Sequence, residues 1–113
     1  MKLVALAALI AALVVPAAVA ATPTLNGTVG PGFTITLTKG GKKVTKLTPG
    51  AYVIKVSDKS NIHNFRLKGP GVNKTTSVGG QGSTTWKVTL KKGTYTYVCD
   101  PHATIMKGTF KVA

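Results

Sequence analysis

The chain has 113 residues, with 15 Lys/Arg against 2 Asp/Glu, 2 His and 1 Cys, and a formal charge of +13. Asp58 and Asp100 are the only acids, which excludes paired-carboxylate glycoside hydrolysis and carboxylate-rich calcium or magnesium cages. Three Cys and His residues fall short of a four-ligand zinc finger, one Cys closes no internal disulfide, and the length fits one domain.

In chain order, Met1-Lys2 gives a short positive start, Leu3 to Val15 an apolar run, and Ala18-Val19-Ala20 a small-residue cleavage pattern. That layout predicts a helical signal peptide over 1–20, followed by a single domain over 21–113. Removal after Ala20 leaves 93 residues and a charge of +12. The alternative is an uncleaved anchor, because Leu3 to Ala21 is nearly long enough to span a bilayer. Pro16 and the small residues behind it favour cleavage, so the expected location is exported (periplasmic, cell-surface or secreted) with no stable membrane insertion. No Cys follows the apolar run to take a lipid.

Beyond Ala20 the chain holds only 4 Ala, 5 Leu and no Glu, but 17 Thr, a composition that favours strands over helices. Phe33 to Thr38 alternates apolar and threonine positions, with Phe33, Ile35 and Leu37 on one face. Trp86 to Leu90 repeats the pattern, and Tyr95 to Cys99 places Tyr95, Tyr97 and Cys99 together. Glycine- and proline-rich turns separate these runs, among them Gly30-Pro31-Gly32, Pro49-Gly50, Gly69-Pro70-Gly71 and Gly79-Gly80-Gln81-Gly82. Strands are expected near 25–29, 33–38, 43–47, 51–57, 63–68, 73–78, 83–90, 94–99 and 107–112, some of them merging. The fold class is all-β, a sandwich of about eight strands. Its expected core includes Phe33, Ile35, Val53 or Ile54, Phe65, Trp86, Val88, Phe110 and Val112.

The chemistry concentrates in Cys99-Asp100-Pro101-His102-Ala103-Thr104-Ile105-Met106, a loop between two strands that carries a thiol, an imidazole and a thioether. The other His, His63, stands 36 residues before the Cys, at the start of the Phe65-Arg66-Leu67 strand. Two imidazoles and a thiolate with a weak axial thioether make the ligand set of a blue-copper electron-transfer site. Thiolate and thioether favour Cu(I), imidazole accepts both oxidation states, and a constrained site keeps reorganisation small. Zinc would also accept the Cys/His pair set.

At these residues the chain resembles the cupredoxins, in particular the plastocyanin, pseudoazurin and amicyanin branch, over about residues 25–113. His63-Asn64 and Tyr97-Val98-Cys99-Asp100-Pro101-His102, with Met106 and Gly108 behind, carry the resemblance. It implies a Greek-key β-sandwich that shuttles single electrons, with one copper held by His63, Cys99 and His102 and, axially, Met106. Asn64 matches the residue that ties the two ligand loops together. Three residues separate His102 from Met106, where plastocyanins and pseudoazurins have four and amicyanins two. Val98 stands where plastocyanins carry an aromatic, and two acids cannot form their acidic patches. Asp100 itself reads as a solvated loop residue.

Lysines in turns and edges, such as Lys42, Lys43, Lys46, Lys91 and Lys92, guard sandwich edges against pairing. A nucleic-acid surface would interleave aromatics with them, yet aromatics are 6% of the chain. The charge therefore suits a redox partner with an acidic docking face, because complementary charge speeds encounter. The expected contact patch is Pro31, Pro70, Pro101, Ala103 and Ile105, rimmed by Lys68, Lys74 and Lys107. Taken together these features predict a monomeric, exported, non-enzymatic carrier of single electrons. The alternatives are a copper-delivery protein and a metal-free interaction domain.

Overall fold

Strands form where inward apolar side chains alternate with outward threonine and lysine. The structure, a computed structural model, describes residues 21–113, so the signal segment expected over 1–20 lies outside the described residues. Ten strands occur in the order β1 (Thr24–Val29), β2 (Ile35–Lys39), β3 (Lys42–Lys43), β4 (Lys46–Leu47), β5 (Gly50–Asp58), β6 (Arg66–Gly69), β7 (Val72–Thr75), β8 (Gly82–Leu90), β9 (Gly93–Val98) and β10 (Lys107–Val112). One sheet runs β3-β2-β1-β5-β8 and the other β4-β10-β9-β6-β7, packed face to face as a Greek-key sandwich. Both sheets are mixed, with parallel pairs β1–β5 and β4–β10 and antiparallel pairs elsewhere. Among the described residues the only helical turn is a 3-10 turn over Asp100–His102, and no helix is long and apolar enough to cross a membrane.

Four expected strands come out differently: 63–68 begins only at Arg66, 73–78 ends at Thr75, and the other two are rearranged. The run 43–47 splits, giving β3 to one sheet and β4 to the other, with buried Val44 between them. Expected strand 33–38 starts only at Ile35, because Gly30 N–H bonds Thr34 C=O at 2.9 Å and closes the preceding residues into a loop. Phe33 is thereby removed from the core and is 57% exposed. Ile54, Phe65, Val88, Phe110 and Val112 are buried as expected, while Ile35 and Trp86 are partly buried against the core. Val53 points outward and is half-buried.

Aromatic rings cross the interior in a column. Phe65 stacks on Tyr97 (5.9 Å between centroids), and Tyr97 leans on Phe110 (6.5 Å), which stacks on Tyr95 (5.3 Å). Opposite Tyr97 in register stands Gly108, where a Cβ would collide with the tyrosine ring, so the glycine makes room for the ring. Two tyrosines also fasten crossovers between the sheets. Tyr52 O–H donates to Thr48 C=O (2.7 Å), and Lys91 N–H donates to Tyr95 Oη (3.0 Å), whose hydroxyl donates to Pro70 C=O (2.8 Å). The Tyr52–Thr48 and Tyr95–Lys91 bonds each span four residues, the pattern of a tyrosine corner.

The register fixes what meets at one end. Val29 pairs Asp58, Asp58 pairs Gly82, and Val98 pairs both Arg66 and Lys107. Loops 30–34, 59–65, 76–81 and 99–106 therefore leave the sandwich at the same end.

Candidate metal centre

His63 is carried by the loop that follows β5, not by a strand, since β6 begins only at Arg66. Local polar residues shape that loop. Ser60 N–H donates to Asp58 Oδ1 (3.0 Å) and Ile62 N–H to Ser60 Oγ (3.2 Å), while Lys59 N–H reaches Val29 C=O (2.9 Å). Asp58 and Ser60 are both buried, so one of the two acids is a builder of the His63 loop. The backbone of Gly30 packs against Ser60 and His63, and a Cβ there would stand 2.8 Å from Ser60 Cβ.

The second loop closes on itself. Cys99 N–H donates to Met106 C=O (3.0 Å), Met106 N–H to His102 C=O (2.9 Å) and His102 N–H to Cys99 C=O (3.1 Å). These backbone bonds hold Cys99, His102 and Met106 within one ring of chain. Cys99 and Met106 are buried, and His102 is half-buried.

The two loops bring three donor atoms together. His63 Nδ1 lies 3.0 Å from His102 Nδ1, and Cys99 Sγ lies 3.7 Å and 3.6 Å from them respectively. A triangle of those sides has its centre about 2.0 Å from each corner, close to the bonds of about 2.0–2.1 Å (nitrogen) and about 2.3 Å (sulfur) found at zinc. Two imidazole nitrogens and a sulfur aimed at one point suit a soft or borderline cation, and the cluster is the group of His, Cys, Asp or Glu among the described residues that could hold a metal.

With a metal on Nδ1 the ring proton of His63 would sit on Nε2, which is buried and has no hydrogen-bond partner among the described residues. Metal-site histidines usually give that proton to a carbonyl or carboxylate. Packing replaces that bond here. Phe33 lies edge-on to His63 (5.1 Å) and to His102 (4.9 Å), covering both rings at once. Sequence alternation alone assigned Phe33 to the core, and the closing turn at Gly30 was the signal for its displacement.

Asn64, buried beside His63, joins the loops. Its Nδ2 donates to Asp100 Oδ2 (2.7 Å) and Thr75 Oγ1 (3.0 Å), and its Oδ1 accepts from Asp100 N–H (2.7 Å). Asp100 is not merely solvated. Arg66 Nε donates to both carboxylate oxygens (2.9 and 3.0 Å) and Arg66 Nη2 to Oδ2 (2.8 Å). Hydrogen bonding from Arg66, outweighing the desolvation that opposes it and helped by Asn64, holds the Asp100 carboxyl below its usual range. Burial pushes the Tyr97 phenol up. Arg66 is the only arginine in the chain and Asp100 one of two acids, so composition held a signal for the pair, but not for its partners.

Of the expected contact patch, Pro31, Pro101, Ala103 and Ile105 are exposed on loops at this end. Pro70 is not with them. Its ring stands against Gly93 and its carbonyl bonds Tyr95, at the far end of β9. Phe33, Ile62, Val78 and Ile105, the exposed large hydrophobics among the described residues, all lie in the loops of the metal end.

Residues 34–113 match the family model described as copper binding proteins, plastocyanin/azurin family. The chain belongs to that family and is a cupredoxin, a copper protein. Among solved structures it is similar to reduced rusticyanin, at TM-score 0.60 and 21% identity over 80% of this chain and 78% of that one. It is also similar to rusticyanin from Thiobacillus ferrooxidans, at TM-score 0.55 and 26% identity over 80% and 76%. A chain of a heme-copper terminal oxidase dimer shares the fold at TM-score 0.55 and 18% identity, over 80% of this chain and 63% of that one. No curated protein matches the chain in sequence.

Proposed function

We propose that the protein is an exported, monomeric carrier of single electrons, not an enzyme, built from a signal peptide over 1–20 and a copper domain over 21–113. The observation that carries this reading is the convergence of His63 Nδ1, Cys99 Sγ and His102 Nδ1 within 3.0 to 3.7 Å of one another. His63, Cys99 and His102 would hold the copper, with the Met106 thioether as a further, weaker donor. Bound copper cycles between Cu(II) and Cu(I). The chain's part is to keep the donors still: the ring of backbone bonds from Cys99 to Met106 and the Asn64 link leave the ligand loops little freedom to rearrange. Phe33 packs against both imidazoles, and half-buried His102 offers the edge through which an electron enters and leaves.

The partner docks on the apolar loops at this end, with Phe33 and Ile62 added to Pro31, Pro101, Ala103 and Ile105, and Pro70 left out. Steering comes from the outer face of the sheet that carries β9, where Lys46, Lys68, Lys107 and Lys111 point outward in register. Such a face favours an acidic partner and speeds encounter more than it tightens binding.

Titration of the protein with Cu(II) tests the reading. An intense absorption at about 600 nm, from thiolate-to-copper charge transfer, is expected at one equivalent; its failure to develop overturns the proposal. A reversible one-electron wave with retention of copper against a chelator supports a carrier, while ready surrender of copper makes it a delivery protein. Met106→Leu should keep the copper and raise the potential by removing a weak donor. An unchanged potential removes Met106 from the axis.

A further inference from the structure

Asp100 puts a full negative charge on the chain between two of the three converging donors, Cys99 and His102. Left alone, a carboxylate in that place would stabilise the oxidised metal and repel the thiolate. It is not left alone. Arg66 opens β6 directly opposite Val98, the residue before Cys99, and its guanidinium lies against the carboxylate with both ends engaged. Nη1 of the same guanidinium donates to Asn73 Oδ1 (2.8 Å) on β7, which fixes its plane. From the other side Asn64 donates to Oδ2 (2.7 Å) and takes the Asp100 N–H (2.7 Å). The carboxylate thus links the His63 loop, the Cys99–Met106 loop and the β6–β7 hairpin.

The choice of residue is informative. Every other cation in the chain is a lysine, and the single arginine stands at the position that needs a planar, multi-pronged donor. An exposed ion pair far from any site adds little to stability. This one is partly exposed, at 26% for the Arg66 side chain and 40% for Asp100, so its stabilising effect is modest. Its placement beside the donors gives it a second consequence, electrostatic and local.

We propose that Arg66 is a positioning residue for the copper centre: acting through Asp100, it holds the Cys99–His102 segment against Asn64 and cancels the carboxylate's charge there, so that the pair sets the reduction potential. This rests on the copper reading above and goes beyond it, since neither residue is a ligand. Removing one partner leaves an uncompensated charge of known sign. Arg66→Met exposes the carboxylate and favours Cu(II), lowering the potential. Asp100→Asn exposes the guanidinium and favours Cu(I), raising it. Arg66→Lys keeps the charge without the fork, and the double variant Arg66→Met with Asp100→Asn removes both charges.

The experiment measures reduction potentials of the four variants in the copper-loaded protein, at low and high salt. Arg66→Met and Asp100→Asn are each expected to change the oxidised-to-reduced ratio at fixed ambient potential by about threefold, in opposite directions, which is about 28 mV for one electron. The double variant and Arg66→Lys should return towards the wild type, and the shifts should shrink as salt screens the charges. A merely structural pair would lower thermal stability without producing opposite signs. Shifts of the same sign, or no shift in a protein that still turns blue, overturn the proposal. Should the wild type take no copper, the copper reading fails instead. The positioning role is then decided by thermal unfolding of the metal-free variants, where additive effects of the two substitutions overturn it and coupled effects sustain it.

Discussion

At the metal end of the sandwich, loops 59–65 and 99–106 are fastened by side chains: Asn64 and Arg66 on Asp100, Asp58 and Ser60 under His63. At the opposite end, connections are short turns rich in glycine and lysine, tied by the hydroxyls of Tyr52 and Tyr95 to nearby backbone. The exposed large hydrophobics sit on the first end, while Lys39, Lys42, Lys91 and Lys92 crowd the second. The two ends solve different problems. Corners at the far end need only return the chain to the other sheet, and a tyrosine hydroxyl suffices. The metal end must hold donors from separate loops in one place, and both acids, both histidines and the single arginine of the chain are used there.

Substitutions at the two ends should therefore fail in different ways. Cys99→Ser is expected to abolish the band at about 600 nm entirely while leaving the β-sheet circular dichroism intact, since serine supplies no thiolate; colour in that variant would break the assignment. Asn64→Ala strands the Asp100 N–H and frees both loops. Thermal or denaturant unfolding should show a loss of about 2–3 kcal/mol, together with a changed visible spectrum. Tyr95→Phe, at the far end, should cost about 1–2 kcal/mol by the same measurement and leave spectrum and potential untouched. An altered spectrum there would erase the distinction between the ends. The smallest effects concern docking. Ile105→Lys should slow electron self-exchange about tenfold by bringing like charges together, whereas Lys91→Gln should leave it within about twofold.

Much of the centre was legible in the chain because its chemistry is carried by residue types too rare to be incidental: two His, one Cys, and a Met behind them. Alternation likewise placed Tyr95, Tyr97 and Cys99 on one inward face, and all three are buried, the two tyrosines within β9 and Cys99 just past its end. What escaped the reading depends on turns and on distance along the chain. Phe33 continues the alternation of β2 in sequence, yet the hydrogen bond from Gly30 to Thr34 bends it off the strand and onto the histidines. Pro70 shares a residue type with Pro31 and Pro101, but the β6–β7 turn carries it to the other end. Asp100 looks like a loop acid until strand pairing brings Arg66 alongside, 34 residues away. No local pattern encodes such a meeting; it follows from register.

The division of residues 42–47 between two sheets has a mechanical consequence. Lys42–Lys43 edge one sheet and Lys46–Leu47 the other, and Val44, buried between them, bonds Leu37 on the first while Thr45 accepts from Lys111 on the second. A pull that peels either edge is transmitted within a few residues to the opposite sheet, so neither can fray alone. The segment works as a stitch through both layers. Amide hydrogen exchange along β2 and β10 should accordingly report one common opening of the sandwich, and the loop between β9 and β10 should keep its protection until that opening occurs.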